Sequence, residues 1–136
     1  MIFPIISDHY LLIKKNRYQK KLTMVDIFPL RTDGLCACGC GKKLKGKQRR
    51  WASKKCIKTS LTYFHILKGD VKTIRIELIK KFGPICNNCK IENLNNSEWD
   101  ADHILEVRHG GGYCGLENFQ ILCKLCHKEK TKNNYR

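Results

Sequence analysis

The sequence of 136 residues has no long apolar run, no low-complexity tract and no acidic residue between positions 34 and 69. No stretch approaches the ~18 consecutive apolar residues that span a bilayer, so a membrane protein is not expected. Asp8 and His9 interrupt the apolar start and its lysines follow it, which is the wrong order for a secretory signal. We therefore expect a cytoplasmic protein with no membrane partner.

Positive charge is in large excess and unevenly distributed. Lys and Arg number 27 against 12 Asp and Glu, a formal net charge of +15. Residues 34–69 carry 10 basic residues, whereas residues 70–136 carry 11 basic and 9 acidic residues. Such an excess favours a nucleic-acid partner over an acidic small substrate. We expect three parts: an N-terminal strand segment (1–34), a basic, cysteine-rich zinc knuckle with a helix (35–69) and a C-terminal domain (70–136).

Local sequence patterns predict an α+β chain. Apolar runs at 10–13 and 25–30 favour short strands. Two apolar stripes at helical spacing predict helices after Ser53 and after the N-cap Asp70, the second ending at Gly83, and we expect both stripes to pack in the core. The stripes are Ile57, Leu61, Phe64 and Leu67 in the first helix and Ile74, Leu78, Ile79 and Phe82 in the second.

Nine cysteines are far more than a chain of this length normally carries. The number is odd, so they cannot all pair within the chain, and a reducing compartment favours metal binding over disulfides. Two C-x-x-C pairs, 33 residues apart, can each supply half of a tetrahedron, and a closed four-thiolate zinc site is structural because it has no open position. The predicted ligands are Cys86, Cys89, Cys123 and Cys126.

A second cysteine group occupies the basic middle segment, and it offers either a second structural zinc site or spare thiols. Its members are Cys36, Cys38, Cys40 and Cys56. The segment resembles small zinc knuckles of bacterial and phage proteins with the pattern C-x-C-G-C…W-C-S-x-x-C. Ala52 stands where those sequences often have cysteine, which leaves the identity of the four ligands open.

A cationic stretch lies between Cys40 and Cys56, and it favours sequence-independent contact with a phosphate backbone over a merely solvated surface. Trp51 within it either covers the zinc site or stacks on an unpaired base. The predicted DNA-binding residues are Lys42, Lys43, Lys45, Lys47, Arg49, Arg50, Lys54 and Lys55.

The segment from residue 84 to 131 contains DHI, then GGG, then LENFQILCKLCHKEKT. With these motifs it resembles the HNH nuclease family of the ββα-metal type, especially the nuclease modules attached to some DNA-repair translocases. The resemblance implies a β-hairpin and a helix held together by one zinc ion, and it makes residues 70–136 an HNH nuclease domain. Glu106 departs from the family, which often has proline shortly after the D-H pair.

The resemblance also implies roles for four residues. His103 would be the general base, Asp102 and His127 would ligate one divalent cation, and Asn118 would hold the loop that orients His103. Hydrolysis of a phosphodiester needs a base that titrates near neutral pH and a cation that neutralises charge on the phosphate, which agrees with these residue types. We expect Mg²⁺ or Mn²⁺ as the catalytic ion.

The leading hypothesis is a metal-dependent HNH endonuclease that nicks or cuts double-stranded DNA. The alternatives are a non-catalytic zinc protein that binds nucleic acid and a partner-dependent module of a phage or repair complex. A homodimer would bring together the two active sites that double-strand cleavage usually needs.

Overall fold

A computed structural model of the protein describes residues 23–109 and 114–134. The chain divides into two compact units, residues 1–68 and 69–136. The predicted strand at 10–13 and the loop at 110–112 lie outside the described residues. Among those described, no helix has the length and apolar character needed to cross a membrane. The architecture is α+β, as predicted, whereas the division into 1–34, 35–69 and 70–136 stays a prediction.

The first unit begins, within its described residues, with a short helix, α1 (Met24–Ile27). The prediction of a strand over 25–30 is therefore wrong. The Asp26 carboxylate accepts hydrogen bonds from the backbone N and Oγ1 of Thr23, at 2.8 and 2.9 Å. This cap satisfies the start of a helix, and it decides the conformation of an apolar run that by itself favours a strand.

The main helix of the first unit is α2 (Lys54–Leu67), and it starts at the predicted residue. The Ser53 hydroxyl caps it by accepting a hydrogen bond from Cys56 N. The predicted core stripe is confirmed at Leu67 but wrong at Ile57 and Leu61, which are exposed. The buried residues of the helix are Cys56, Ser60, Tyr63, Ile66 and Leu67. Cys56 must face the other cysteines of the unit, and this requirement fixes the rotation of the helix.

The described residues of the second unit form two helices and one hairpin. These elements are α3 (Val71–Phe82), β1 (Trp99–His103), β2 (Phe119–Cys123) and α4 (Lys124–Asn134), with short 3-10 turns at Val107–His109 and Leu116–Asn118. The strands pair antiparallel, with Trp99 opposite Cys123 and His103 opposite Phe119. The predicted strands and helices of this unit are confirmed.

The helix α3 has the predicted ends. The Asp70 carboxylate accepts from Thr73 N, and Gly83 follows the last turn with φ 74°, where a residue without Cβ is favoured. Ile74 and Leu78 are buried as expected, but Phe82 is 49% exposed, so the predicted core stripe is wrong at its last position.

Arg75 of α3 fastens this helix to the hairpin. Its Nη1 donates to the carbonyl oxygen of Trp99 at 2.9 Å, and its Nη2 donates to that of Asn96. The guanidinium also lies 3.7 Å from the centre of the buried Trp99 ring. One side chain thus joins three contacts at the start of β1.

Replacing Arg75 with alanine should lower the free energy of unfolding by about 2–3 kcal/mol, since it leaves two carbonyls without their charged donor and uncovers the tryptophan. Arg75→Lys should recover only part of this, because an ammonium group lacks the planar fork. Urea denaturation of zinc-loaded protein measures both. Lys72→Ala, at an exposed position of α3, should change the unfolding free energy by less than about 0.5 kcal/mol. Equal losses for Lys72→Ala and Arg75→Ala would contradict a stabilising role of the Arg75 contacts.

Candidate metal centres and catalytic cleft

Four cysteine thiols converge in the second unit. They come from the turn at 86–89, the end of β2 and the first turn of α4, and they are Cys86, Cys89, Cys123 and Cys126. Their sulfur atoms all lie within 4.8 Å of one another, and those of Cys89 and Cys123 are 3.8 Å apart. A tetrahedral zinc ion with bonds of about 2.3 Å separates its sulfurs by about 3.8 Å, so the group fits a closed zinc site.

Backbone N–H groups donate to two sulfurs of this group, and at Cys86 they favour the thiolate. The backbone N of Cys123 donates to the Cys86 sulfur, and the backbone N of Cys126 donates to the Cys123 sulfur. Burial raises the pKa of the Cys86 thiol, but backbone N–H donors, led by that of Cys123, lower it by a larger amount. The net result is a pKa of about 6. A thiol that ionises readily is the form that binds a metal.

The second cysteine group lies in the first unit, and the structure brings all four of its predicted members within 4.8 Å of one another. The sulfurs of Cys40 and Cys56 are 3.9 Å apart, and the Cys36 sulfur accepts from the backbone N of Ala52 at 3.2 Å. Ala52 therefore supports the group through its backbone, although its side chain supplies no ligand. This group too is arranged to hold a metal ion.

Asp102 and His127 face each other across the second unit. Asp102 is on β1 and His127 on the first turn of α4, and Asp102 Oδ1 lies 3.6 Å from His127 Nε2. His127 Nδ1 lies 2.8 Å from Oδ2 of Asp100. A carboxylate that holds one ring nitrogen as a donor leaves the lone pair of the other available, which is how histidine usually ligates a metal. The pair therefore fits a divalent cation with mixed oxygen and nitrogen ligation.

Asp100 is itself stabilised as an anion. Burial raises its pKa, but hydrogen bonds from Lys124 and His127 more than offset this and leave the pKa below its ordinary value. Lys124 Nζ lies 2.7 Å from Asp100 Oδ1. Asp100 thus remains a charged acceptor for His127 near neutral pH.

His103 ends β1 beside this pair. Its ring packs against Phe119, with 4.5 Å between ring centres. Burial lowers the pKa of His103, the charge of Lys130 lowers it further, and Asp102 acts in the opposite direction. The net effect is a pKa below the ordinary value, which leaves the imidazole neutral and able to accept a proton. His103 and Asp102 line a cleft of about 270 Å³ together with Glu106, Val107, Arg108, Lys130, Thr131 and Asn134.

Asn118 clamps the chain just after His103. Its Oδ1 accepts from Leu105 N at 2.8 Å, its Nδ2 donates to Leu105 O at 3.0 Å, and its backbone O accepts from Ile104 N. These bonds fix the exit of β1 two residues beyond His103. Glu106, the departure from the family pattern, accepts from Asn134 Nδ2 on α4 and so ties this exit to the helix.

Seven of the eight predicted DNA-binding residues of the first unit are exposed, and the eighth, Arg50, is not. Arg50 is half-buried: its Nη2 donates to Phe28 O at 2.7 Å and its guanidinium lies over Trp51. Trp51 packs edge-on against Phe28, and its role beside the cysteine group stays a prediction. The other seven residues are exposed: Lys42, Lys43, Lys45, Lys47, Arg49, Lys54 and Lys55.

Three residues around the candidate cation site were missed by the sequence analysis: Asp100, Gln120 and Lys130. Gln120 is the cross-strand partner of Asp102, and Lys130 lies one turn after His127 on α4. Asp100 precedes Asp102 by two positions, so strand alternation puts it on the same face. The two-residue spacing of Asp100 and Asp102 can be read from the sequence. Gln120 can be identified as the partner of Asp102 only when the strand register is known.

The family comparison agrees with this geometry. Residues 86–133 match the sequence model of the HNH endonuclease, a segment that holds the second-unit cysteine group, both strands and most of α4. The matched segment of the second unit is therefore a small α+β module similar to the HNH type.

Three curated proteins share a shorter segment with the chain. They are the DNA annealing helicase and endonuclease ZRANB3 of mouse, human and cattle, which are 58%, 58% and 54% identical to it over 33 residues. That segment is 24% of this chain and 3% of each relative. No solved structure matches the chain significantly.

Both cysteine groups should hold zinc, so purified protein should contain two ions per chain. Cys40→Ala and Cys89→Ala should each retain one, because three thiolates bind zinc much more weakly than four. Cys114→Ala, which removes the buried cysteine outside both groups, should retain two. Elemental analysis of desalted protein measures the ratio, and one ion in the wild type would exclude one of the two sites.

Proposed function

We propose that this protein is a metal-dependent HNH endonuclease that hydrolyses phosphodiester bonds of double-stranded DNA. The observation that carries the proposal is the pairing of Asp102 Oδ1 with His127 Nε2 at 3.6 Å, beside His103 in an open cleft. The match of residues 86–133 to the HNH endonuclease supports it. The relatives that share a segment with the chain are DNA annealing helicases and endonucleases by name, which supports DNA as the substrate.

Each residue has a distinct part in the proposed reaction. His103 accepts a proton from the attacking water through a ring nitrogen, and its lowered pKa keeps it in the accepting form. Asp102 and His127 would hold Mg²⁺ or Mn²⁺, and the bound ion would supply positive charge to the scissile phosphate and the leaving oxygen. Asp100 orients His127, and Asn118 holds the backbone after His103 in place.

The first unit is proposed to provide affinity for the DNA backbone. Its exposed cations lie around a cysteine group that shapes the loop, and no acidic residue occurs in 34–69 to oppose them. Contacts of this kind release counterions and do not read sequence. The proposal therefore includes no base-specific recognition.

His103→Ala should lower the rate of nicking of supercoiled plasmid in Mg²⁺ or Mn²⁺ by at least about 100-fold, since the general base is lost. The matched control is His65→Ala, an exposed histidine of α2, which should cleave at the wild-type rate. Gel densitometry under single-turnover conditions gives the rates. A wild type that is folded, zinc-loaded and bound to DNA but inactive in every metal would instead favour a non-catalytic nucleic-acid-binding protein or a module that needs a partner.

Exchanging Lys43, Lys45 and Lys47 together for glutamine should weaken binding to a random-sequence duplex about tenfold or more. It should also flatten the slope of log K against log salt by up to about 3, because up to three phosphate contacts are lost. Fluorescence anisotropy at several salt concentrations measures both. The control with the same charge change replaces Lys72, Lys80 and Lys81 of α3; an equal effect there would mean that net charge, not this loop, determines binding.

A further inference from the structure

The two oxygens of the Asp102 carboxylate have different surroundings. Oδ2 accepts a hydrogen bond from Gln120 Nε2 at 3.0 Å and pairs with Lys130 Nζ. Oδ1 instead faces His127 Nε2. Lys130 also donates to His103 O at 2.5 Å, so the engaged oxygen is tied to the end of β1. One oxygen of this carboxylate is thus occupied by protein, and the other points to the candidate cation position.

The amide of Gln120 continues these bonds to the cysteine-bearing turn. Its Oε1 accepts from Asn87 Nδ2 at 2.9 Å. Asn87 lies between Cys86 and Cys89, and its backbone N donates to Ile121 O at 2.7 Å. The turn that supplies two thiols is therefore held directly beside the strand position that contacts Asp102.

Chemistry fixes the direction of these bonds. An ionised carboxylate can only accept, so Gln120 must present its NH₂ group to Asp102. Its carbonyl oxygen then faces the turn and requires a donor there. Asn87 can meet this requirement only with its own NH₂ group. The charge on Asp102 therefore determines the orientation of both amides, and each amide in turn restrains the carboxylate.

We propose that Asn87 and Gln120 are positioning residues that act in series to hold Asp102 so that Oδ1 alone is offered to the divalent cation. The inference rests on the metal site of the proposed function and adds two residues outside its ligand set. Partners of this kind commonly change metal affinity by about 10- to 100-fold, because they fix the orientation and basicity of a ligand. Asn87 links the orientation of the catalytic carboxylate to the cysteine site.

Binding of Mn²⁺ to zinc-loaded, full-length protein without DNA tests the proposal, with free Mn²⁺ measured by electron paramagnetic resonance. Gln120→Leu keeps the size of the side chain and removes both bonds, so it should weaken binding about tenfold. Asn87→Ala should weaken it less. Because the two residues act in series, the double variant should match Gln120→Leu alone; additive losses would overturn the series arrangement.

Asn87→Asp tests whether Mn²⁺ binding becomes weaker or stronger when the donor at this position is lost. It replaces the donor with an acceptor, so Gln120 must turn its NH₂ group to the turn and its oxygen to Asp102. Mn²⁺ binding should then fall below that of Asn87→Ala. Added negative charge by itself would strengthen binding of a cation. Stronger Mn²⁺ binding by Asn87→Asp would therefore contradict the relay, that is, the positioning of Asp102 by Asn87 through Gln120.

The control is Asn133→Ala, an exposed amide on α4 outside these bonds, which should bind Mn²⁺ like the wild type. Zinc content is measured for each variant, and Gln120→Leu remains decisive should an Asn87 variant lose zinc. Asp102→Ala separates the two proposals. If it binds Mn²⁺ normally, the metal site and the relay both fall; if it abolishes binding while Gln120→Leu binds like Asn133→Ala, only the relay falls.

Discussion

The convergence of four thiols at the base of the hairpin is the constraint on which the second unit depends. A two-stranded ribbon is marginal in water, and the five-residue strands β1 and β2 have no further strand partner among the described residues. Cys123 ends β2 and Cys126 lies in the first turn of α4, so a metal ion held by both thiols would fix the angle at which the helix leaves the strand. The turn at 86–89 completes the group, and Leu122 packs against Cys86 and Cys126 beneath it.

The arrangement of the candidate cation site follows from the direction of α4 and from two periodicities. Strand alternation puts Asp100 and Asp102 on one face of β1, and helical spacing puts His127 and Lys130 on one face of α4. Since the helix starts at a fixed point, its two residues meet the two carboxylates in order: His127 reaches both, and Lys130 reaches Asp102. A displacement of α4 by one residue would replace the imidazole with the thiol of Cys126 or the ammonium group of Lys128.

The sequence predicts elements well where the signal is local, and less well where a partner decides. Capped apolar stripes predict α2 and α3, and cysteine spacing predicts both thiol groups. The cap from Asp26 overrides an apolar run in α1, and Cys56 rotates the core face of α2 away from Ile57 and Leu61. Gln120 was missed for a similar reason: its importance arises from a register that no local pattern specifies, opposite Asp102.

The charges of the two units serve different purposes under the proposed function. Around the cleft, the carboxylates of Asp100, Asp102 and Glu106 are each paired with a cation, and these cations are Lys124, Lys130 and Arg108. The paired charges leave little net attraction for a phosphate backbone. The cleft by itself is therefore a poor site for a polyanion until a divalent cation binds. Affinity must come from elsewhere, and residues 34–69 offer cations without acidic neighbours in sequence. Because long-range attraction depends on net charge whereas hydrolysis depends on local geometry, separating the two lets a carboxylate-rich site act on DNA.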